Sequence, residues 1–276
     1  MLARVENLRV RFPTPQGWVA AVRGISFTLG REKLGIVGES GSGKSLTARA
    51  LMRLLPRHAE ITANRLEFDG IDLRDTSERA MRAIRGKRVG LILQDPKYAL
   101  NPVMTAGAQI AEAWAAHAGG GRRAALRVAL DLLAQVRIRD PRHVAGLYPH
   151  ELSGGMGQRV MIAMMLAPDP ELLIADEPTS ALDATVAAEI LRLIEDLVSR
   201  RGMALMLISH DLPLVSHVCD RVLVMYAGRV VEEVAAADLT RAQHPYTRGL
   251  LGCLPSLAKP KPMLATLARD PAWGEP

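Results

Sequence analysis

The order of apolar and polar residues along the chain predicts two kinds of β-sheet. Leu8, Val10 and Phe12 alternate with arginines, and the same alternation recurs around Phe27 and Phe68. A period of two is typical of antiparallel strands that expose one face. Continuous apolar runs follow at 89–93, 172–175, 205–208 and 222–225. Because such strands need cover on both faces, these runs predict a parallel sheet with helices packed against it.

Two further segments depart from the strand patterns. Between Pro102 and Pro149 the chain is alanine-rich with a helical period, broken by glycines at 119–121, and this predicts a helical insertion, placed at about 98–160. After Ala235 the periodic signal fades. The prolines of this last segment are Pro245, Pro255, Pro260, Pro262 and Pro271. We therefore predict a domain at 1–235 and, at 236–276, a tail without its own core that wraps around the domain or dangles from it.

Composition argues against several classes of protein. The 276 residues are 49% hydrophobic, enough for the core of one or two lobes. Cys219 and Cys253 are too few and too isolated for a disulfide framework or a cysteine-ligated metal site. The apolar runs fall far short of the roughly 18–20 residues that cross a bilayer, and no signal peptide is visible, so we expect a cytosolic chain. The net charge of +6 is scattered and aromatic residues make up 4%, which gives little support for a nucleic-acid surface.

A glycine-rich loop between an apolar strand at 34–37 and a helix at 46–51 is the most specific motif. Its residues are Gly38, Glu39, Ser40, Gly41, Ser42, Gly43, Lys44 and Ser45, followed by Leu46. In this context backbone amides point at a phosphate, and the glycines permit its close approach. Lys44 would contact the β- and γ-phosphates, and the Ser45 hydroxyl would bind the accompanying Mg²⁺. The spacing disfavours the alternative of a flexible Gly/Ser loop.

An apolar strand at 172–175 ends in two carboxylates, Asp176 and Glu177. A carboxylate at the end of a strand beside a phosphate loop can hold Mg²⁺, and a second one can polarise water. We assign Asp176 to the metal and Glu177 to the general base. The alternative is a strand end followed by a turn at Pro178.

A second glycine-rich segment precedes an apolar helix. Ser153 is predicted to cap this helix, and Gly154, Gly155 and Met156 follow it. The open, positive helix terminus could receive another anion, although an ordinary glycine-rich cap is an equal alternative at this point.

Six motifs in this order are similar to those of the ATP-binding subunits of ABC transporters, over about 2–251. They are the Walker A loop at 38–45, the Q-loop at Gln94, the signature at 152–156, the Walker B strand at 172–177, the D-loop at 180–183 and the switch histidine His210. The resemblance implies an α/β fold with a RecA-like P-loop NTPase core of mainly parallel sheet, an N-terminal antiparallel β-subdomain and an α-helical insertion subdomain. It makes 1–235 the ABC ATP-binding domain.

The resemblance also implies a head-to-tail dimer that holds ATP between two chains. The Walker A loop of one chain and Ser153 to Met156 of the other would enclose the γ-phosphate. Mg²⁺ would be held by Ser45, Gln94 and Asp176. Asp183 would connect the two sites, and His210 would brace the γ-phosphate and Glu177. Phe12 lies where the family has the aromatic residue that stacks on adenine, and Trp18 is near enough to compete.

Two segments resemble the peptide and nickel importer branch of this family, namely 101–105 and 244–251. Met156 replaces the usual glutamine of the signature, as in that branch, so we expect activity to be retained. That branch often has a cysteine-rich iron–sulfur motif in its tail. Here the tail has only Cys253, so we expect no cluster.

The resemblance implies an ATPase that energises import of peptides, or of nickel or a metal chelate, with ATP and Mg²⁺ as cofactors. The implied partners are a second ATP-binding subunit, identical or paralogous, two transmembrane permease subunits and a periplasmic or extracellular solute-binding protein. The implied location is the cytoplasmic face of the inner membrane, as a peripheral protein. The alternative is a soluble ABC ATPase acting on nucleic acid, but such proteins usually have two cassettes in one chain or a long coiled-coil insertion, and neither is seen in this sequence. A non-hydrolysing module would lack Glu177 or His210, and both are present.

Overall fold

The computed structural model describes residues 1–253, Asp270 and Trp273. These residues form two compact units. The first unit contains Met1–Asp75 and the described residues from Leu207 onward, and the second contains Thr76–Met206.

The first elements are mostly strands and the middle ones mostly helices, and strands and helices alternate one by one between residues 154 and 226. The strands are β1 (Ala3–Thr14), β2 (Gly17–Leu29), β3 (Lys33–Val37), β4 (Glu60–Thr62), β5 (Arg65–Phe68), β6 (Ile71–Asp72), β7 (Val89–Ile92), β8 (Leu172–Asp176), β9 (Ala204–Ser209), β10 (Arg221–Tyr226) and β11 (Arg229–Ala235). The α-helices are α1 (Lys44–Leu51), α2 (Glu78–Ile84), α3 (Pro96–Ala99), α4 (Ala106–Ala118), α5 (Arg122–Gln135), α6 (Pro141–Ala145), α7 (Gly154–Leu166), α8 (Ala184–Arg201), α9 (Leu212–Val218) and α10 (Pro245–Gly252). Short 3₁₀ helices lie at Pro149–Glu151 and Ala236–Arg241.

An antiparallel sheet occupies the N-terminal part of the first unit, with strand order β2-β1-β5-β6 and β4 paired with β1. Val5 pairs with Phe27 on β2 and with Leu66 on β5. Val5 and Val10 are buried, whereas Arg9 and Arg11 are exposed. This alternation confirms the half-exposed antiparallel strands predicted from the sequence.

The first unit also contains parallel strands. β10 lies between β3, which is parallel to it, and β11, which is antiparallel. The core of β10 is buried from Val222 to Met225, as the continuous apolar run predicts. Because Val224 pairs with Val37, the end of β10 lies beside the start of the glycine-rich loop.

In the second unit β7 and β8 form a parallel pair, with Ile92 opposite Ala175. The predicted helical insertion is confirmed by α4 and α5. Gly119 ends α4 in the left-handed region, at φ 65°, which the glycine break predicts. The strand β9, buried along its whole length, continues from the second unit into the first.

The described part of the predicted tail packs onto the first unit. Ala236 and Leu239 are buried, and Tyr246 has an exposed fraction of 0%. Residues 236–253 are therefore part of the first unit, and the predicted division of the chain after 235 stays a prediction. Pro255, Pro260, Pro262 and Pro271 lie outside the described residues. In the described part of the chain, no helix combines the length and apolarity that a membrane span requires.

Candidate nucleotide-binding site

The glycine-rich loop of the first unit leads from β3 into α1, as predicted. Gly38 has φ 151°, and a Cβ atom there would lie 2.1 Å from the carbonyl oxygen of Met225. Gly43 has φ 100° and is the residue before α1. Glycine at these two positions lets the loop turn tightly against β10, so its amides stay near the start of the helix.

Lys44 is folded back over this loop. Its ammonium group donates hydrogen bonds to the carbonyl oxygens of Gly38, at 2.9 Å, and of Glu39, at 2.8 Å. The side chain is buried, so the charge is held by carbonyl dipoles rather than by bulk water. An arriving phosphate can exchange for these carbonyls, as the predicted contact with the β- and γ-phosphates requires.

The Ser42 hydroxyl provides a test of whether a phosphate fits the loop. Its oxygen is buried and has no hydrogen-bond partner among the described residues. The backbone of Ser42 is fixed, since its carbonyl accepts from the Gly228 amide at 3.1 Å. A buried hydroxyl without a partner costs free energy, and a phosphate oxygen would satisfy it.

Glu39 makes one contact that the sequence analysis missed. Its backbone amide donates to the hydroxyl of Tyr246 on α10, at 3.0 Å. Tyr246 lies in the 244–251 segment, which the sequence analysis used only to identify a branch of the family. Nothing in that segment predicted a contact with the glycine-rich loop.

The two aromatic candidates for adenine differ in their surroundings. Phe12 is half-buried, and its ring meets His58 edge-on with 6.1 Å between centroids. Trp18 is 52% exposed and stacks under the Arg11 guanidinium at 4.8 Å. Both lie on the β1–β2 hairpin of the first unit, and the choice between them stays a prediction.

His210 follows β9 and is exposed in the first unit. The turn around it is fixed, because Ser209 Oγ accepts from the Asp211 amide at 3.0 Å and Asp211 caps α9. This turn presents the imidazole at the carboxyl end of a buried strand, where functional groups of α/β folds commonly lie.

The acidic pair of the second unit lies at the end of β8. Asp176 is buried, and Glu177 is half-buried with φ 48°. A left-handed glutamate is costly and uncommon, and such residues cluster at functional sites. The Gln94 amide nitrogen lies 3.4 Å from a carboxylate oxygen of Glu177 and donates to it. The structure therefore brings together two residues that the sequence analysis proposed separately.

The predicted Mg²⁺ ligands have the right chemistry for that ion. Ser45, Gln94 and Asp176 offer hydroxyl, amide and carboxylate oxygens, and Mg²⁺ prefers hard oxygen donors. Among the described residues no three His, Cys, Asp or Glu side chains cluster as a metal site.

The second glycine-rich segment begins α7, and its predicted cap is confirmed: Ser153 Oγ accepts from the Met156 amide at 3.3 Å. Gly155 faces α8 so closely that a Cβ atom would lie 2.8 Å from Cγ1 of Val186. Arg159 further along α7 donates to a Glu189 carboxylate oxygen on α8, at 2.9 Å. The signature segment is thus packed on the helix that follows the D-loop.

Asp183 of the D-loop is the N-cap of α8. One carboxylate oxygen accepts from the amides of Thr185 and Val186, each at 3.1 Å. Val186 therefore makes two contacts: its amide donates to the Asp183 cap, and its side chain faces Gly155. The predicted role of Asp183 between two nucleotide sites is not tested by these contacts.

A hydrophobic surface follows Gln94 in the second unit. Tyr98 is 88% exposed and Val103 78% exposed, whereas Leu100 is buried. The buried Gln109 side chain holds this segment by bonds to Asn101 N, Asn101 O and Met104 O, at 2.8, 3.1 and 3.0 Å. We call Tyr98 and Val103 the Q-loop patch.

Comparison with known proteins shows the family to which the chain is similar. The family model described as ABC transporter matches residues 22–180. A probable peptide ABC transporter ATP-binding protein of Sinorhizobium fredii is 51% identical over 258 residues, which is 92% of this chain and 77% of the relative. The dipeptide transport ATP-binding protein DppD of Escherichia coli is 47% identical over 96% of this chain and 82% of its own length.

The solved structures that are similar to this chain also include an ATP-binding cassette and a part of an ABC transporter. A dimeric ATP-binding cassette, MJ0796, in a post-hydrolysis state with ADP and Pi bound, has a TM-score of 0.74 at 25% identity and covers 85% of this chain and 99% of its own. The cbiO1 protein of Clostridium perfringens, part of the ABC transporter complex cbiONQ, has a TM-score of 0.74 at 26% identity and covers 87% of this chain and 90% of its own.

Proposed function

Because this chain belongs to the ABC transporter family and is an ATPase with the α/β fold of ATP-binding cassettes, we propose that it drives import of peptides through separate permease subunits. One observation carries this proposal: relatives named as peptide and dipeptide transport ATP-binding proteins are 47–51% identical over 92–96% of the chain.

In the proposed reaction ATP is bound through its phosphates by the glycine-rich loop. Lys44 exchanges its two carbonyl partners for phosphate oxygens, and Ser42 donates its buried hydroxyl. Mg²⁺, held by Ser45, Gln94 and Asp176, would neutralise phosphate charge when bound. Phe12 is the proposed adenine contact.

Glu177 is the proposed general base. Its carboxylate would take a proton from the attacking water, and Gln94, which donates to that carboxylate, would keep it oriented. His210 is proposed to contact the γ-phosphate, since its imidazole is exposed at the end of β9.

A second ATP-binding subunit is the proposed partner at the nucleotide. Ser153, Gly154, Gly155 and Met156 of one chain would close over the γ-phosphate held by the other, with Asp183 between the two sites. The amino end of α7, where Gly154 and Gly155 carry no side chains, supports contact with an anion. Loss of the γ-phosphate would remove this contact and open the dimer.

The Q-loop patch is the proposed contact with the permease. Two large apolar side chains stand in solvent on a segment that Gln109 holds in place, and such patches mark interaction sites. The chain would then be a peripheral protein at the cytoplasmic face of the cell membrane, and a solute-binding protein would act through the permease.

The test is uptake of a labelled dipeptide into vesicles reconstituted with this chain as the ATP-binding subunit, a dipeptide permease pair and its solute-binding protein. We expect ATP-dependent uptake, and no uptake with Glu177→Gln. Uptake of Ni²⁺ instead of dipeptide would reassign the substrate, and stimulation of ATPase activity by DNA or RNA without any permease would contradict the proposal.

A further inference from the structure

Tyr246 is a fully buried tyrosine on α10 whose hydroxyl reaches the glycine-rich loop. Its exposed fraction is 0%, and its oxygen accepts from the Glu39 amide at 3.0 Å. The two residues are 207 positions apart in the chain. Because a buried tyrosine hydroxyl needs a polar partner, this bond determines where the ring can sit and where the loop can sit.

The peptide group that Tyr246 contacts consists of the Gly38 carbonyl and the Glu39 amide, and it also holds the loop lysine, because the Gly38 oxygen accepts from Lys44 Nζ at 2.9 Å. The carbonyl oxygen of Glu39 accepts from Lys44 Nζ at 2.8 Å and from the Ser42 amide at 3.2 Å. Tyr246 therefore restrains Glu39 on its amide side while Lys44 and Ser42 bind its carbonyl side. A shift of Glu39 would move the acceptor of the lysine and change the path of the loop.

Tyr246 itself is held on two sides. Glu232 of β11 accepts from the amides of Gln243 and His244, at 2.6 and 3.3 Å, and so fixes the chain just before α10. The Tyr246 ring packs against Tyr226 with 4.6 Å between centroids. The hydroxyl therefore meets Glu39 from a fixed position rather than from a free tail.

We propose that Tyr246 is a positioning residue for nucleotide binding, through which α10 keeps the glycine-rich loop in its phosphate-binding shape before ATP arrives. The proposal rests on the assignment of this loop to the ATP phosphates. A loop that is already ordered loses less conformational entropy on binding, so removal of the hydroxyl lowers affinity without removing any nucleotide contact.

The test compares Tyr246→Phe with Tyr226→Phe, which removes a hydroxyl from the adjoining ring of the same aromatic pair. Three quantities are measured in each: the dissociation constant of a fluorescent ATP analogue, ATPase activity at saturating ATP, and hydrogen exchange of the Glu39 amide. For Tyr246→Phe we expect about 3–10-fold weaker binding, a raised KM for ATP, kcat within about twofold of wild type and faster Glu39 exchange. For Tyr226→Phe we expect wild-type values.

Affinity within about twofold of wild type in Tyr246→Phe overturns the proposal, and so does weaker binding with wild-type Glu39 exchange. Equal weakening in Tyr226→Phe also overturns it, because packing of the rings would then explain the effect. If Tyr246→Phe does not fold, Glu232→Ala, which removes the acceptor of the Gln243 and His244 amides before α10 and leaves the ring intact, must weaken binding in the same way. Lys44→Ala separates this result from the assignment of the loop: an unchanged affinity in Lys44→Ala contradicts the assignment, whereas a loss there with no effect of Tyr246→Phe contradicts only the role of Tyr246.

Discussion

Substitution of Gly155 by alanine tests why a glycine occupies this position of the signature segment. The backbone of Gly155 accepts an L-residue, because φ lies outside the left-handed region, and alanine favours a helix by roughly 0.5–1 kcal/mol over glycine. The added Cβ would nevertheless lie 2.8 Å from Cγ1 of Val186. Carbon atoms in contact are about 3.5–4.0 Å apart, so the overlap is about 0.7–1.2 Å.

This overlap outweighs the gain in helix propensity. Val186 is β-branched and has one preferred rotamer in a helix, so it does not turn aside cheaply. Overpacking of this kind costs about 1–3 kcal/mol, so after the gain in helix propensity the free energy of unfolding falls by up to about 2.5 kcal/mol. Gly154→Ala is the matched control, since its nearest neighbour would be Cδ2 of Leu182 at an ordinary 3.4 Å.

The assay is a double-mutant cycle measured by urea unfolding. Val186→Ala removes the methyl group that Gly155→Ala meets, so the two changes together should be less destabilising than their sum by about 1–3 kcal/mol. A coupling energy below about 0.5 kcal/mol would refute the packing argument. ATP-driven dimerisation of the double variant adds a second result: recovered stability without recovered dimerisation would mean that the glycine is needed for close approach to the nucleotide as well.

Three further outcomes are expected. Glu177→Gln should bind ATP but turn over roughly 10²–10⁴-fold more slowly and accumulate ATP-bound dimers on size exclusion; unchanged phosphate release would remove Glu177 from the role of base. Ser153→Arg should abolish ATP-driven dimerisation while the affinity of the monomer for ATP stays nearly intact, and a persistent dimer would contradict contact in trans. The hydrogen bond from Arg221 lowers the pKa of Glu32. The stability that this pair contributes should therefore be complete above the ordinary carboxyl pKa and be lost as pH falls through the lowered pKa. Glu32→Gln should flatten the curve of unfolding free energy against pH in that acid range, and an unchanged curve would exclude the Glu32–Arg221 pair as a source of this pH dependence.

The fold could be predicted because the residues that determine it repeat at short intervals. β1 alternates because one of its faces is exposed, and β8 is continuously apolar because both of its faces are covered. Both patterns can be recognised within a few consecutive residues. The loop at 38–45 was predictable for the same reason, since glycine at fixed spacing before a helix has one common use. Gln94 and Glu177 were predicted separately, but the bond between them depends on the register of β7 and β8 and was not visible in either segment.

Contacts between distant residues explain what the sequence analysis did not find. Glu39 and Tyr246 belong to segments with no shared period, and the last part of the chain was predicted only as a tail because its prolines interrupt any helical pattern. A proline at the first position of α10 is compatible with a helix, however, because the amide it removes has no partner within the helix. A tyrosine directly after that proline then faces inward, where it must find both packing and a hydrogen-bond partner. The amide of Glu39 supplies the partner, and a segment with too few apolar residues for its own core is thereby bound to the loop on which nucleotide affinity is proposed to depend.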